Sequence, residues 1–293
     1  MKLAVVGPTA SGKTQLATTL AKLLNATIIN GDPFQSLQGC AIGTGQPTLE
    51  ELEGQKNLGY GCFPLSMHLN PKDFGISVNG WIANDTETIC VTGSGLYLRG
   101  IWNQFSPLPE VPSEVIQHYR TRTNREGTPT LYQELKTIDP KRAYELHPND
   151  RARIERALAL YEVSGVLPSQ LLGGVPLEVP SDWKVVVLDP PRDLLRDSIA
   201  RRIQRQISLG WPDEVASLVA RGFTADLRRH RPIGYDTLMN HIEPSVAQNL
   251  ITIETQQYAK RQSTWFRHQM KNVVRLESIP LNPEQLLNAL GHR

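Results

Sequence analysis

The chain has 293 residues, of which 40% are hydrophobic, and its formal net charge is +2. A chain of this length is typical of one large α/β domain with an insert, and it buries enough surface to fold without a disulfide or a metal. The composition excludes a mainly disordered or collagen-like protein. No apolar run approaches the roughly 18 residues that a membrane span requires.

The cysteines and the first residues indicate the cellular setting. Three cysteines lie far apart in the sequence, so they favour reduced thiols over a disulfide framework or a zinc site. The apolar run at 3–6 is too short for the core of a signal peptide. We therefore expect a cytoplasmic protein without membrane contact, and we expect a monomer.

Predicted strands alternate with predicted helices along the chain. Short apolar runs predict the strands, and apolar residues at three- and four-residue spacing predict the helices. This alternation is typical of a parallel sheet with helices on both faces. In chain order, the predicted elements are a strand at 2–6, a helix at 13–24, strands at 26–30, 87–91 and 185–188, and a helix at 194–207.

Two stretches rich in proline and glycine, 105–112 and 165–180, bracket a helical middle region. Such stretches are typical of linkers. In this region Asn149 or Asp150 is suited to cap a helix that Gly165 ends. We predict an α/β core at 1–112 and 171–293 and an inserted helical domain at 113–170.

The strongest motif is the segment 7–14, which fits G-x-x-x-x-G-K-[ST] at every fixed position and lies between a strand and a helix. Backbone N–H groups of such a loop surround phosphate oxygens, and the helix N-terminus adds partial positive charge. Lys13 is expected to contact the phosphates, and the Thr14 hydroxyl to help hold Mg²⁺. The predicted pyrophosphate-binding residues are Gly7, Thr9, Ala10, Ser11, Gly12, Lys13 and Thr14.

The motif leaves the nature of the phosphate ligand open. ATP, GTP or another pyrophosphate ester fits, although the sequence lacks the Asn-Lys-x-Asp guanine signature. Asp32 ends the second predicted strand, and ligands of open α/β folds lie beyond the carboxyl ends of the strands. Asp32 is therefore a candidate metal ligand, a candidate general base, or a turn cap before Pro33. Asp189 also ends a strand, but the two prolines after it favour a sharp exit turn.

Positive charge is concentrated in the second half of the chain. Residues 1–110 contain six basic and eight acidic side chains, whereas 192–275 contain fourteen basic and eight acidic ones. This asymmetry is compatible with a polyanionic partner, and equally with a solvated basic face.

Seven segments carry recognisable motifs: 7–14, 32–35, 42–44, 93–97, 147–158, 233–235 and 258–267. In order and spacing, these segments resemble the tRNA dimethylallyltransferases (tRNA isopentenyltransferases). The resemblance implies a P-loop NTPase-like core with an inserted helical domain that contacts tRNA. It also implies transfer of a dimethylallyl group from dimethylallyl pyrophosphate to N6 of adenine 37, beside the tRNA anticodon.

The resemblance also implies roles for individual residues. Asp32 is expected to accept a proton from the adenine amine or to orient it, and Ser94, where the family usually has threonine, to lie near the reacting base. Arg202 is expected to contact the pyrophosphate. The implied tRNA contacts are Asp32, Pro33, Phe34, Gln35, Ser94, Arg153, Arg156, Lys260, Arg261 and Arg267. For the neighbouring Trp265 and Phe266, core packing is favoured over stacking on a base.

The chain departs from the family pattern at several positions near these motifs. Loss of one charge-assisted contact weakens binding by about 1.5–3 kcal/mol. A reduced or redirected activity therefore stays open, as do a catalytically weakened tRNA-binding relative and a P-loop kinase of a small molecule. The departures are Pro33, Leu37, Gln38, Gln46, Phe63, Pro64, Ser198 and Asp236, of which Gln38, Gln46, Ser198 and Asp236 remove positive charge.

Overall fold

The structure, a computed structural model, describes residues 1–105, 107–172, 177–240 and 243–291. The chain divides into two compact units. The first unit is formed by Met1–Gln104 and Leu177–Arg293, and the second by Phe105–Pro176. The second unit contains the region predicted as a helical insert.

The first unit contains a parallel sheet and most of the helices. Its strands are β1 (Lys2–Val6), β2 (Thr27–Asn30), β3 (Asn57–Leu58), β4 (Thr88–Thr92), β5 (Trp183–Leu188) and β6 (Val274–Leu276). Its first four helices are α1 (Lys13–Leu24), α2 (Ala41–Thr44), α3 (Pro71–Ala83) and α4 (Gly95–Ile101). After the second unit follow α10 (Arg192–Ser208), α11 (Trp211–Ala220), α12 (Thr224–His230), α13 (Tyr235–Met239), α14 (Pro244–Gln269) and α15 (Pro283–Ala289).

The sheet has the strand order β3-β2-β4-β1-β5-β6, and every pair is parallel. Alternate residues of the strands enter two separate apolar cores, so helices cover both faces. Leu3 and Val5 face the core that contains α1 and α15, whereas Ala4 and Val6 face the core that contains α3, α10 and α14. The predicted parallel α/β core is confirmed.

The carboxyl ends of three adjacent strands place the candidate site. β2, β4 and β1 are neighbours, and Val6 pairs with Thr92 at the same edge of the sheet. The chain leaves β1 directly into the 7–14 loop, leaves β2 towards Asp32, and leaves β4 towards Gly93. Segments that are distant in sequence therefore meet at one edge.

The second unit is helical. Its helices are α5 (Ser113–Glu126), α6 (Thr128–Ile138), α7 (Pro140–Tyr144), α8 (Arg151–Ser164) and α9 (Pro168–Leu171). Helices α5 and α8 pack together, and α6 packs against α7 and α8 around a core that includes Leu131, Leu135 and Leu158. The Asp150 carboxylate accepts a hydrogen bond from the Arg153 N–H at the start of α8.

Predicted and observed boundaries agree closely where the apolar pattern is strong. The helix predicted at 13–24 spans those residues. Helix α8 ends at Gly165 as predicted, and Gly165 adopts the left-handed conformation there. The short edge strands β3 and β6 escaped prediction because two or three residues carry no readable periodicity. Within the described residues, no helix is long and apolar enough to cross a membrane.

Asp139 connects two helices of the second unit and provides a test of its packing. Its carboxylate is 1% exposed and accepts hydrogen bonds from Arg142 N at 3.0 Å and Ser169 N at 2.6 Å. We expect Asp139→Ala to lower the free energy of unfolding by about 1–3 kcal/mol, because two backbone donors lose their acceptor. Urea denaturation measures this loss, and the exposed Glu110→Ala is the matched control. Equal stability of the two variants would contradict the capping role.

Candidate active site

A cavity of about 860 Å³ lies in the first unit at the carboxyl edge of the sheet. Its wall brings together the phosphate loop, the segment after β2, the segment 41–48, and side chains of α10, α11 and α14. This volume lies within the range of small-molecule sites in proteins, about 300–1,000 Å³.

The phosphate loop is held in its conformation by steric and hydrogen-bond constraints. A Cβ at Gly7 would lie 2.2 Å from the Leu188 carbonyl oxygen, and Gly12 has a φ of 90°. Lys13 Nζ donates to the Pro8 carbonyl at 2.6 Å. The Ser11 hydroxyl is buried and has no hydrogen-bond partner in the described part of the chain. Such an orphaned group fits a loop whose remaining partners are ligand oxygens.

Asp32 is positioned by the last residue of β2. The Asn30 side chain is fully buried; its Oδ1 accepts from Asp32 N and its Nδ2 donates to Asp32 O, both at 2.9 Å. Asp32 Oδ1 accepts from Phe34 N at 2.9 Å and Gln35 N at 3.4 Å. Asp32 Oδ2 has no protein hydrogen-bond partner among the described residues, so one carboxylate oxygen is held and the other remains available.

Lys13, Asp32 and Arg202 influence one another across the cavity. Burial, and after it the charge of the nearby Arg202, lower the pKa of Lys13 to about 7, with Asp32 opposing both. Burial raises the pKa of Asp32, against hydrogen bonds from Phe34 and Gln35 and the charges of Lys13 and Arg202. Burial also lowers the pKa of Arg202, and Asp32 opposes it. Two cations therefore flank one carboxylate in a poorly hydrated place, which suits an additional anionic ligand.

The Arg202 guanidinium is held by the turn at α2. Arg202 Nη2 donates to the Thr44 carbonyl at 3.1 Å. A Cβ at Gly45 would lie 1.9 Å from the same nitrogen, and Gly45 has a φ of 64°, so a larger residue here would be strained and would displace the guanidinium. Gln35 Nε2 donates to the Gly45 carbonyl at 2.8 Å.

Gln262 of α14 joins the phosphate loop to the segment after β4. Its Oε1 accepts from Thr9 N at 2.9 Å, and its Nε2 donates to Gly93 O at 2.8 Å. A Cβ at Gly93 would lie 2.6 Å from this nitrogen, so glycine is needed for the contact. The Thr9 N–H is thus committed to Gln262, and Ala10–Thr14 provide the other backbone donors of the loop.

Comparison with known proteins identifies the family. The sequence matches the IPP transferase family over residues 35–269 and the isopentenyl transferase family over residues 1–59. This chain belongs to the IPP transferase family. The resemblance inferred from the motifs is confirmed, and the chain is a prenyltransferase.

Individual relatives agree with this assignment. A tRNA dimethylallyltransferase of Exiguobacterium sp. is 34% identical over 92% of this chain and 88% of its own. The full-length tRNA isopentenylpyrophosphate transferase of Bacillus halodurans is similar in structure, with 28% identity, a TM-score of 0.69, and coverage of 99% of this chain and 94% of its own. A eukaryotic dimethylallyltransferase acting on tRNA has a TM-score of 0.77 and 21% identity, over 94% of this chain and 73% of the eukaryotic chain. At this identity the similarity shows the shared fold alone. These matches favour the transferase over the small-molecule kinase.

The structure of this IPP transferase brings most of the predicted donor-site residues together. Residues 9–14 line the cavity with Asp32, Phe34, Gln35 and Arg202. The predicted metal ligand Thr14 is part of this wall. The Gly7 side of the loop lies against β5 instead, because its Cα approaches the Leu188 carbonyl.

The predicted acceptor-site residues are more dispersed. Arg261 lines the cavity, whereas the wall does not include Pro33, which is buried, or Ser94, which precedes α4. Lys260 is exposed on α14. Arg267 forms a two-point ion pair with Asp189, with nitrogen–oxygen distances of 2.7 and 3.1 Å. Asp189, the competing strand-end carboxylate, therefore anchors α14.

The implied RNA contacts of the insert belong to the second unit. Arg153 is exposed on α8 and pairs with Asp150 at 3.2 Å, and Arg156 lies three residues further along the same helix. Core packing was favoured for both Trp265 and Phe266, and it is confirmed for Phe266, which is buried in the core. Trp265 is partly buried and covers Gly95, where a Cβ would lie 2.3 Å from its ring.

The departures from the family pattern fall into different surroundings. Gln46 and Ser198 line the cavity. Leu37 forms a parallel bridge with Phe63, whose ring packs against Phe74 and Trp81, so this part of the chain is apolar core. Gln38 is exposed, and its backbone N–H donates to the Phe63 carbonyl. Pro64 is the residue directly after Phe63. Asp236 is exposed and lies 4.0 Å from Arg228.

Sequence reasoning assigned no role to four polar residues that shape the site. Asn30, Gln206, Glu214 and Gln262 all hold backbone segments of the cavity wall through their side chains. Of the four, only Asn30 is marked in the sequence, because it is an asparagine that ends an otherwise apolar strand and a buried side-chain amide requires hydrogen-bond partners. Asn30 binds Asp32 two residues away, but its bond to Gly59 and the bonds of the other three residues join positions 29 to 253 residues apart, which only the tertiary structure fixes.

The lowered pKa of Lys13 predicts a pH-dependent stability. Its usual pKa of 10.5 falls to about 7 in the folded protein. Between these values the unfolded chain binds a proton that the folded chain does not, so the free energy of unfolding rises with pH by about 1.4 kcal/mol per unit. Lys13→Met removes this contribution. Urea denaturation of both proteins should show their stability difference, wild type minus variant, increasing from pH 7 upwards; a constant difference would contradict the shift.

The bridge formed by Gln262 predicts a second stability effect. Gln262→Ala leaves the Thr9 N–H and the Gly93 carbonyl without their partner, and we expect the free energy of unfolding to fall by about 1–3 kcal/mol. The exposed Gln257 lies on the same helix, and Gln257→Ala is the matched control. Equal denaturation midpoints for the two variants would show that the bridge is not formed in solution.

Proposed function

We propose that the protein transfers a dimethylallyl group from dimethylallyl pyrophosphate to N6 of adenine 37 in tRNA. The observation that carries this proposal is the single cavity that joins a phosphate-binding loop, two cations and a carboxylate with one available oxygen. One cavity thus provides both a binding site for the diphosphate leaving group of the donor and a proton acceptor for the amine of the acceptor.

The donor side is built for a diphosphate. Residues Ala10–Thr14 of the phosphate loop, with the Lys13 ammonium, and the Arg202 guanidinium line the same cavity. These groups are fixed before the reaction, so they stabilise the negative charge that grows on the leaving group without having to reorganise. Apolar side chains of the same wall, among them Ile42, Ile203 and Trp211, suit a hydrocarbon chain.

Magnesium fits this site as an ion that arrives with the donor. Among the described residues, no group of three or more His, Cys, Asp or Glu side chains is arranged to hold a metal. Mg²⁺ typically keeps several waters and binds through one or two protein oxygens together with substrate phosphates. The Thr14 hydroxyl, at the start of α1, would provide that protein oxygen. A bound ion supplies further neutralisation of the departing diphosphate.

The acceptor side requires a nucleobase outside its stack. The adenine enters the cavity by base flipping, whose cost is lowest in a single-stranded loop such as the anticodon loop. The N6 nitrogen attacks C1 of the dimethylallyl group, and the bond from C1 to the pyrophosphate oxygen breaks. Asp32 Oδ2 accepts the proton that N6 loses, while Oδ1 stays bound to the Phe34 and Gln35 N–H groups.

The raised pKa of Asp32 suits this role. A carboxylate that is partly desolvated is a stronger base than one in water, and the charges of Lys13 and Arg202 oppose the rise in its pKa. We propose that Ser94 contacts the reacting base region and that Pro33, Phe34 and Gln35 belong to the adenine-binding segment.

Basic residues outside the cavity are proposed to hold the anticodon stem-loop. Lys260, Arg261 and Arg267 lie on α14, and Arg153 and Arg156 lie on α8 of the second unit. Contacts from such residues to phosphates position an RNA without reading its sequence. We further propose that the second unit is the inserted tRNA-contacting domain, and that the protein acts as a monomer in the cytoplasm.

The direct test of this function is a transfer assay. The protein is incubated with dimethylallyl pyrophosphate, Mg²⁺ and unmodified tRNA, and the nucleosides are analysed by mass spectrometry. We expect one prenyl group on adenosine 37, and none on a transcript that carries guanosine at this position. Salt-dependent tRNA binding without any prenyl transfer would instead support the catalytically weakened relative.

Asp32→Asn isolates the proton-transfer step. The amide keeps the shape of the side chain but accepts no proton, so we expect kcat to fall by about 10²–10⁴-fold. Thermal protection by dimethylallyl pyrophosphate should persist, because the phosphate loop is unchanged. A variant that retains full kcat would contradict the role of Asp32.

A further inference from the structure

The turn formed by residues 41–45, here named the α2 turn, connects two parts of the site. It lines the cavity between the segment that holds Asp32 and helix α10, which carries Arg202. It contains no ionisable side chain, so anything it contributes comes through its backbone. The contacts of that backbone are therefore the relevant observation.

Glu214 of α11 holds the first half of the α2 turn. Its Oε2 accepts from Ile42 N at 2.7 Å, and its Oε1 accepts from Gly43 N at 3.0 Å. The Tyr235 hydroxyl donates to the same Oε1 at 2.6 Å. One carboxylate thus satisfies two adjacent backbone donors and is itself oriented by a fully buried tyrosine.

Other contacts leave the α2 turn little freedom to move. Gln206 Nε2 donates to the Ile42 carbonyl at 2.6 Å and lies 3.2 Å from the Gly43 carbonyl. A Cβ at Gly43 would lie 2.1 Å from Trp211 Nε1 and 2.5 Å from the Tyr235 ring. The turn is therefore packed directly against two buried aromatic side chains, and a displacement of its backbone requires them to move.

The second half of the α2 turn holds groups that face the substrate. The Thr44 carbonyl accepts from Arg202 Nη2 at 3.1 Å, and the Gly45 carbonyl accepts from Gln35 Nε2 at 2.8 Å. The position of the Arg202 guanidinium thus depends on the position of the Thr44 carbonyl. That carbonyl belongs to the residue directly after Gly43, whose N–H Glu214 binds.

We propose that Glu214 is a positioning residue for prenyl transfer, acting through the α2 turn to hold the Arg202 guanidinium against the leaving diphosphate. The inference rests on the proposed function for its kinetic consequence, but the coupling to diphosphate binding is independent of the acceptor. Glu214 touches neither substrate. Its effect depends on Arg202, which distinguishes it from a residue that only stabilises the fold.

The experiment is a double-mutant cycle of Glu214→Gln and Arg202→Ala. Glutamine keeps the size of the side chain but has one acceptor oxygen for the two backbone donors. We expect Glu214→Gln to lower kcat by about 10- to 100-fold through misplacement of a charged group, with an unchanged KM for tRNA. In the Arg202→Ala background the same substitution should change kcat by less than about threefold, because the group it positions is gone.

The matched control is Asp213→Asn, which neutralises the exposed carboxylate next to Glu214 on α11 and leaves both bonds between Glu214 and the α2 turn. We expect it to retain kcat within about threefold. Circular dichroism and thermal unfolding show whether each variant is folded. If Glu214→Gln does not fold, Glu214→Asp, which keeps the charge and shortens the side chain by one methylene, takes its place in the cycle.

Calorimetric binding of inorganic pyrophosphate to the same four proteins provides a readout without chemistry. We expect Glu214→Gln to weaken binding only where Arg202 is present. Effects of the two substitutions that multiply, in kcat and in pyrophosphate affinity, would overturn the inference, as would wild-type values for a folded Glu214→Gln protein. Wild-type protein that binds pyrophosphate but prenylates no tRNA would overturn the proposed function alone, and the binding cycle would still decide the role of Glu214.

Discussion

The arrangement of Lys13, Arg202 and Asp32 in one partly desolvated cavity is the constraint on which the site depends. Two cations near one carboxylate are costly to assemble away from water, and burial shifts the pKa of each group towards its neutral form. The cost is offset when a diphosphate supplies the missing negative charge. Because two cations outnumber the single carboxylate, the same charges that are costly to bury make the cavity selective for a polyanionic ligand.

Two amide side chains and one carboxylate around the cavity hold these groups in place. Asn30 fixes the backbone of Asp32, Gln262 ties the phosphate loop to Gly93, and Glu214 fixes the turn that binds Arg202. Each of them satisfies backbone donors or acceptors that would otherwise be buried without partners. A well-defined site in this protein is thus obtained with short side-chain-to-backbone contacts rather than with side-chain-to-side-chain ion pairs.

Departures from the family pattern change the charge of the cavity without removing its central groups. Gln46 and Ser198, which stand where the family resemblance implies basic residues, line the wall, and Gln46 Nε2 donates to the Leu37 carbonyl and so stabilises the loop. Arg205 and Arg231 line the same cavity, and Arg205 pairs there with Glu51 at 3.1 Å. The family assignment and the retained Lys13, Asp32 and Arg202 favour a working transferase.

The sequence alone determined the phosphate loop, the parallel α/β core and the family, because these depend on local periodicity and on fixed spacings within short segments. Helix α1 begins and ends where its glycine, lysine and apolar residues predict. Only the tertiary structure decided that Asp189 binds Arg267 and that Gln262 reaches Thr9, since these pairs join residues 78 and 253 positions apart. Local patterns record which face of an element is apolar, whereas long-range polar pairing depends on how the packed elements meet.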